Sequence, residues 1–131
     1  MGTSEKCVVL ERTLTQADFD RFAALSGDHN PIHVDAEFSA KSRFGRTVSH
    51  GVLLLTILRG LLDRLVPGAR LQSQNLMFPA PTYADEPMLF SAEIESDDGE
   101  RVTATIRCMR RGDGIVTCDG TALLQRCDNK L

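Results

Sequence analysis

The fold is decided by the stretch SHGVLLLTILRGLLDRL, residues 49–65, near the middle of the chain. It predicts a helix that begins near Ser49 or His50 and runs to about Leu65, where a Pro-Gly pair follows and ends it. Its leucines cover more than one face, which is typical of a helix surrounded by other structure. Three charged residues interrupt the apolar run, so the segment is not expected to span a bilayer.

Strand-like segments flank this helix, one before it and four after it. They are residues 6–13, 70–78, 87–96, 101–110 and 115–126. The third and fourth are separated by a short Asp-Gly turn, which predicts an antiparallel hairpin. Apolar and polar residues alternate from Val102 to Cys108, which indicates one buried face. The order of elements predicts an α+β protein in which an antiparallel sheet wraps around a long central helix.

A shorter helix is predicted between the first strand and the central helix. Thr15 and Asp18 resemble a capping box, and apolar residues then recur at helical spacing as far as Ser26. Gly27 suits the position just past a helix end. Residues 27–33 are predicted to form an irregular but structured loop, because a proline within them keeps the preceding residue out of helical geometry.

Length and composition bound what the chain can be. Its 131 residues fit one domain, 1–131, and its 42% hydrophobic and 25% charged residues are typical of globular proteins. The net charge of -3 is spread along the chain without a basic block, so nucleic acid is not an expected partner. The first residues show no export signal, which predicts a cytoplasmic protein without a membrane partner.

The four cysteines are Cys7, Cys108, Cys118 and Cys127, and no two of them form a C-x-x-C pair. Disulfides are not expected, because nothing in the sequence suggests secretion. Each cysteine is flanked by strand-like sequence, so we expect buried or half-buried thiols.

Side chains that could take part in chemistry are concentrated in the loop after the first helix. Asp28, His29, Asn30 and His33 lie within six residues. A carboxylate and an imidazole can exchange protons near neutral pH, so this loop is a candidate acid–base site. From spacing alone a structural turn is the favoured alternative, because Asp and Asn are common turn residues. A metal site that includes His50 is not expected, because the loop histidines do not share a helical face.

The second candidate element is Ser49-His50-Gly51 at the start of the central helix. The first N–H groups of a helix lack internal partners and carry partial positive charge. Glycine lets a ligand oxygen approach these groups closely, so they can stabilise an oxyanion. Alternatively, Ser49 is an N-cap and Gly51 accommodates a packing contact. The residues alone support the two interpretations equally.

Two segments resemble a known family. Residues 22–35, FAALSGDHNPIHVD, resemble the hydratase motif of the MaoC-like, (R)-specific enoyl-CoA hydratases. Residues 44–54, FGRTVSHGVLL, resemble the entry to the central helix in the same family. The resemblance is strong from Phe19 to Leu55 and continues weakly through an F-x-x-P pattern that starts at Phe78. The first motif is long and specific.

The resemblance implies a hot-dog fold and a homodimer with its sites at the subunit junction. It implies syn addition of water to a trans-2-enoyl thioester of CoA or an acyl-carrier protein, giving the (R)-3-hydroxyacyl product. Asp28 and His33 would hold and deprotonate the water and deliver a proton to C2, while the N–H of Gly51 would stabilise the thioester oxygen. No metal, nicotinamide or flavin cofactor is implied, because the thioester carbonyl accepts the electrons.

Further residues are implied to contact the substrate, with one departure from the family. Asn30 would shape the loop or contact the water, and Ser49 and His50 would bind substrate at the helix entry. Arg59 stands where many family members have a small polar residue. It could narrow the acyl tunnel, pair with a carboxylate or extend to solvent. His29 occupies a variable position of the motif and receives no catalytic role.

Two other functions are open on the same fold. A hot-dog thioesterase would hydrolyse the thioester, but such enzymes place their acids differently from the motif found here. A non-catalytic acyl-thioester-binding subunit would not need both Asp28 and His33. The intact motif therefore favours the hydratase.

Overall fold

The computed structural model describes residues 6–127. Residues 1–5, interpreted above as lacking an export signal, and residues 128–131 lie outside that range. Along the chain the elements are β1 (Cys7–Thr13), α1 (Gln16–Ser26), α2 (Pro31–Val34), α3 (Ala36–Ala40), α4 (Gly51–Leu65), β2 (Arg70–Met77), β3 (Pro87–Asp97), β4 (Arg101–Arg110) and β5 (Val116–Gln125).

Five antiparallel strands form one sheet in the order β1-β3-β4-β5-β2, and α4 packs against it. Every strand lies within one residue of its predicted bounds. The predicted hairpin is β3 paired with β4, and its turn is fixed by Asp98, which accepts hydrogen bonds from the N–H groups of Glu100 and Arg101. The predicted α+β class and the hot-dog arrangement are confirmed.

The core lies between α4 and the sheet. The buried residues of α4 are Leu54, Leu58, Leu61, Leu62 and Leu65. They belong to one cluster with the alternate residues of β4 from Val102 to Cys108, which are completely buried. Burying a leucine side chain contributes roughly 1.5–3 kcal/mol. These contacts therefore fix the position of α4, and with it the start of that helix.

One side of α4 is open within the chain, contrary to the prediction from its leucine pattern. Val52 is 60% exposed, and Leu53 and Ile57 are only partly buried. The reason is that a single sheet covers a single side of the helix.

Neither α4 nor any other helix within residues 6–127 combines the length and apolar character needed to cross a membrane.

The prediction for the cysteines is right for two of them and wrong for the other two. Cys108 and Cys118 are completely buried and face each other on β4 and β5. Cys7 and Cys127 are exposed, because one opens the edge strand β1 and the other follows the end of β5. All four are free thiols.

The start and the end of α1 follow the predicted pattern. Thr15 and Asp18 form a complete capping box, in which each side chain accepts a hydrogen bond from the main-chain N–H of the other. Gly27 ends the helix with a φ of 83°, a left-handed conformation that glycine adopts without strain.

The segment after α1 is more regular than predicted. Residues 31–34 form α2 instead of belonging to an irregular loop. Asn30 caps this short helix by accepting a hydrogen bond from the N–H of Ile32. Pro31 occupies the first position, where its missing N–H has no helical partner to lose. The proline therefore starts a helical turn here and does not prevent one.

Gly120 of β5 is predicted to tolerate no side chain. A Cβ at this position would lie 1.9 Å from the main-chain oxygen of Asn75 in β2, so the two strands would have to separate. We expect Gly120→Ala to lower the free energy of unfolding by about 3 kcal/mol, the upper end of the usual cost of overpacking. Urea denaturation measures this. Gly112→Ala is the matched control, because its Cβ would meet nothing within 4 Å, and equal stability of the two variants would contradict the prediction.

Candidate active site

Asp28 and His33 are brought together by the chain that links α1 to α2. The Asp28 Oδ2 and His33 Nε2 atoms are 3.8 Å apart. The His33 side chain is 13% exposed, whereas that of Asp28 is 53% exposed. The pair therefore combines an enclosed imidazole with a carboxylate that water can reach.

Short-range hydrogen bonds hold Asp28 in place. Its main-chain N–H donates to the Oγ of Ser26, and its Oδ1 accepts from the N–H of Asn30. The side chain of Asn30 is occupied in turn with capping α2, the helix that carries His33. Asn30 thereby sets the spacing between the carboxylate and the imidazole.

The proton on His33 can be assigned from its partner. The Nδ1 atom lies 2.8 Å from the carbonyl oxygen of Val48, and a carbonyl only accepts, so Nδ1 carries the proton. The Nε2 atom of the neutral ring is then an acceptor that faces the Asp28 carboxylate. Two acceptors 3.8 Å apart do not bond to each other, but one water can donate to both.

His50 lies behind this pair and contacts both residues. It is 2% exposed, and its Nε2 atom is 3.0 Å from the main-chain oxygen of Asp28. Its ring stacks on that of His33, with centroids 3.9 Å apart and planes inclined by 24°, while Phe22 packs edge-on at 4.9 Å. The prediction that His50 binds substrate is not compatible with this placement, because the neighbouring rings cover it.

Burial lowers the pKa of His50 below its ordinary value, and the adjacent His33 ring acts in the same direction. The hydrogen bond to the Asp28 carbonyl opposes this shift without cancelling it. That carbonyl requires a proton on Nε2, so the lone pair of the neutral ring is on Nδ1. The Nδ1 atom is buried without a hydrogen-bond partner among residues 6–127. The surroundings therefore favour a neutral His50.

The start of α4 is open to a ligand. Gly51 is its first residue, and His50 in the N-cap position makes no capping hydrogen bond with its side chain. The N-cap is therefore His50 and not Ser49, whose hydroxyl donates to the main-chain oxygen of His50. The first N–H groups of α4 therefore keep their partial positive charge without a capping side chain.

A cavity of about 550 Å³ opens beside Ser49 and Gly51, within the usual range of small-molecule sites. Its apolar lining includes Phe44, Val48, Leu54, Phe78, Pro79, Ala80 and Pro81. Phe78 lies nearest to the helix start, since a Cβ on Gly51 would be 2.9 Å from its ring. The missing Cβ of Gly51 thus accommodates the ring of Phe78.

The loop of residues 78–83 was not predicted to belong to the site, although the F-x-x-P pattern marks its start. Two guanidinium groups lie over the ring of Tyr83, that of Arg46 at 4.5 Å and that of Arg110 at 4.9 Å from the ring centroid. Arg110 is buried and also donates two hydrogen bonds to the main-chain oxygen of Pro81. This wall of the cavity is therefore fixed by contacts between distant parts of the chain, which leave no local sequence signal.

Arg59 lies about two turns along α4 from Gly51 and is half-buried. It does not line the cavity described above, and within residues 6–127 it forms no ion pair. Its predicted effect on an acyl tunnel stays a prediction.

Asp28, His33 and His50 could in principle hold a metal ion, since each offers a ligand atom within 4.8 Å of the others. A metal ion is bound in the plane of an imidazole ring, at about 2.1 Å from the nitrogen for zinc. Two rings stacked at 3.9 Å and inclined by only 24° do not direct their lone pairs to one point. The arrangement of these residues therefore does not fit a metal site.

The fold and the site together define a hot-dog domain in which Asp28 and His33 lie beside an uncapped helix start. The family described as MaoC like domain matches residues 3–117. The (R)-specific enoyl-CoA hydratase of Aeromonas caviae is 32% identical over 120 residues, which cover 88% of this chain and 89% of the relative. The 3-hydroxybutyryl-CoA dehydratase of Methylorubrum extorquens is 30% identical, over 89% of this chain and 76% of the relative.

A solved structure agrees with these relatives. The (R)-hydratase from A. caviae involved in PHA biosynthesis superposes with a TM-score of 0.86 at 29% identity, covering 95% of this chain and 97% of that chain. The chain therefore belongs to the MaoC-like domain family.

The neutral state of His50 predicts a pH dependence of stability. The pKa of His50 is lower in the folded protein than in the unfolded chain, where it is about 6.5. Below that pH the unfolded chain binds more protons, so the free energy of unfolding falls as the pH is lowered toward the folded pKa. Urea denaturation from pH 8 to 5 should show a smaller fall for His50→Phe than for wild type. An equal fall in both proteins would contradict the prediction.

Proposed function

We propose that the protein is a hydratase that adds water to a trans-2-enoyl thioester and yields the (R)-3-hydroxyacyl thioester. The observation that carries this proposal is the placement of Asp28 Oδ2 and His33 Nε2, two acceptors 3.8 Å apart that one water can bridge. The names of the relatives supply the class of substrate, since one is an enoyl-CoA hydratase and another a hydroxybutyryl-CoA dehydratase. These names describe the two directions of one type of reaction.

In the proposed reaction a water donates one hydrogen bond to Asp28 and one to His33. Its oxygen forms a bond to C3 of the substrate, and one of its protons passes to this pair of residues. The electrons of the C2–C3 double bond shift toward the thioester carbonyl. The pair then delivers a proton to C2 and regains its starting charge. Because the oxygen and the proton come from the same side, the addition is syn.

The N–H of Gly51 is proposed to stabilise the thioester oxygen as enolate charge develops. Two observations support this role: its position at the start of α4 and the missing side-chain cap. Loss of one such donor typically costs ~10²- to 10³-fold in kcat. The thioester carbonyl serves as the electron sink, so the proposed reaction requires no cofactor.

The cavity beside Gly51 is proposed to receive the thioester of an acyl-CoA or an acyl-carrier protein. Ser49 and Phe78 line it next to the helix start and would lie against the thioester group. The apolar wall provided by the loop of residues 78–83 suits the hydrocarbon part of such a substrate.

We also propose a homodimer that forms through β2. The two edges of the sheet are β1 and β2. The edge β1 carries the charged Glu11 and Arg12, which discourage pairing, whereas β2 carries no charge beyond its first residue. Met77 at the end of β2 is 70% exposed. Because Phe78 follows β2 and packs on Gly51, each active site would then lie close to the subunit junction.

The purified protein should hydrate crotonyl-CoA, which is followed as loss of the enoyl-thioester absorbance. Asp28→Asn and His33→Ala are each expected to lower kcat at least ~10²-fold, the low end for a lost general acid or base. His29→Ala is the matched control, because His29 is an exposed imidazole in the same loop without a part in the proposed reaction. It should keep the wild-type rate.

Other outcomes would point to other functions. Release of free thiol from an acyl-CoA without hydration would favour a thioesterase. Binding of the thioester without turnover would favour a non-catalytic acyl-thioester-binding subunit. A wild-type rate in Asp28→Asn or in His33→Ala would remove that residue from the mechanism.

Sedimentation velocity should show a species of twice the chain mass of 14.4 kDa. Met77→Lys places a charge on the exposed end of β2 and is expected to raise the dimer dissociation constant ~10-fold or more, equivalent to about 1.4 kcal/mol. Val9→Lys is the matched control, because Val9 is 58% exposed on the other edge, β1. A monomeric wild type, or dissociation by Val9→Lys alone, would contradict dimerisation through β2.

A further inference from the structure

His50 makes two contacts with the proposed catalytic pair, and they are different in kind. Its Nε2–H donates to the main-chain oxygen of Asp28 over 3.0 Å, which holds the loop. Its ring stacks on the His33 imidazole at a centroid distance of 3.9 Å, which holds the orientation of that side chain. One buried side chain is thus in contact with the main chain of Asp28 and with the imidazole of His33.

We propose that His50 is the positioning residue of the Asp28–His33 pair and fixes that pair relative to the N–H of Gly51. This role rests on the hydratase function proposed above and deepens it. His50 does not touch the substrate in this role, because the rings of His33 and Phe22 cover it. Its effect on the reaction is transmitted through Asp28 and His33, which contact the water and the substrate in the proposed reaction.

The position of His50 in the chain makes this coupling possible. It is the N-cap residue of α4, and the next residue is Gly51. An N-cap side chain ordinarily stabilises its helix by accepting a hydrogen bond from an N–H of the first turn. The His50 side chain is directed instead to the loop 22 residues earlier in the chain. The residue thus joins the acid–base pair to the oxyanion donor through its own backbone.

The Asp28 loop needs such an anchor. The other hydrogen bonds of Asp28 are formed with Ser26 and Asn30, two residues away in either direction, and all are exposed. Exposed bonds between near neighbours do not fix a loop relative to the rest of the protein. The hydrogen bond from His50 comes from a buried side chain on another element, so this bond can fix the loop relative to the rest of the protein.

A neutral ring suits this role better than a charged one. During turnover His33 becomes positively charged whenever it takes a second proton, on Nε2. A protonated His50 would then place another positive charge 3.9 Å from the His33 ring. It would also place an N–H on Nδ1, which is buried and has no partner within residues 6–127. The neutral ring donates only through Nε2, where the Asp28 oxygen accepts.

Three substitutions at His50 separate the two contacts. His50→Phe keeps an aromatic ring for the stack but removes the donor, His50→Gln keeps an amide donor but removes the stack, and His50→Ala removes both. We expect His50→Ala to lower kcat for crotonyl-CoA ~10²-fold, the cost of misplacing a reacting group by about 1 Å. KM should change less than about 2-fold, since the lost interaction acts in the transition state. His50→Phe and His50→Gln should each recover part of the loss.

A matched control separates positioning from simple loss of stability. Leu124→Ala removes a completely buried side chain from the core at the end of β5 that pairs with the start of β2. It is expected to destabilise the fold by about 2–5 kcal/mol and to leave kcat per folded molecule unchanged. If His50→Ala also leaves kcat per folded molecule unchanged, His50 is only structural and the proposal is overturned.

Long-range proton–nitrogen spectra of the imidazoles provide a readout without substrate. In wild type they should show His33 protonated on Nδ1 and His50 protonated on Nε2. In His50→Ala the His33 nitrogen signals should shift, and unchanged His33 signals would overturn the proposal. A shift in a protein whose wild type does not hydrate crotonyl-CoA would sustain the positioning role and overturn the hydratase function instead. The two failures are thereby distinguishable.

Discussion

The candidate site depends on the attachment of residues 28–33 to the residues that lead into α4. Three hydrogen bonds make this attachment. The Val48 N–H donates to the Ile32 oxygen over 3.1 Å, His33 Nδ1 donates to the Val48 oxygen over 2.8 Å, and His50 Nε2 donates to the Asp28 oxygen over 3.0 Å. Because they are spread along both segments, the carboxylate, the imidazole and the start of the helix form one rigid unit.

The remainder of the fold supports this unit. At the site itself, some polar groups are left without a hydrogen-bond partner. The leucines of α4 bury that helix against the sheet, while Arg110 contacts Pro81 and Tyr83, which line the cavity. At the site, by contrast, α4 begins without a side-chain cap and the Nδ1 of His50 has no partner among the described residues. Departures of this kind from local rules are typical of functional sites, where the chemistry uses the unsatisfied groups.

Local patterns were sufficient to predict most of the fold, because each pattern reflects a local cause. The alternation from Val102 to Cys108 follows from one buried face of β4, and the capping box of Thr15 and Asp18 follows from the unpaired N–H groups of a helix start. The exposure of Cys7 was not predictable in the same way. It depends on β1 being an edge strand, which is a property of the complete sheet.

The site was predicted only in part, for the same physical reason. The resemblance of residues 22–35 to the family motif singled out Asp28 and His33, and the structure brings these two side chains together. The sequence did not predict that His50 turns inward, because the contacts that hold it there are with residues 17 and 22 positions away. The cavity wall at residues 78–83 is likewise formed by long-range contacts with arginines.

The central claim is that one pair of side chains, on one side of the substrate, supplies both the oxygen and the proton. Hydration of crotonyl-CoA in deuterated water, followed by NMR determination of the configuration at C2 and C3, tests it most directly. We expect a (3R)-hydroxybutyryl product with deuterium and the hydroxyl group added to the same face. A (3S) product, or deuterium added to the opposite face, would contradict it.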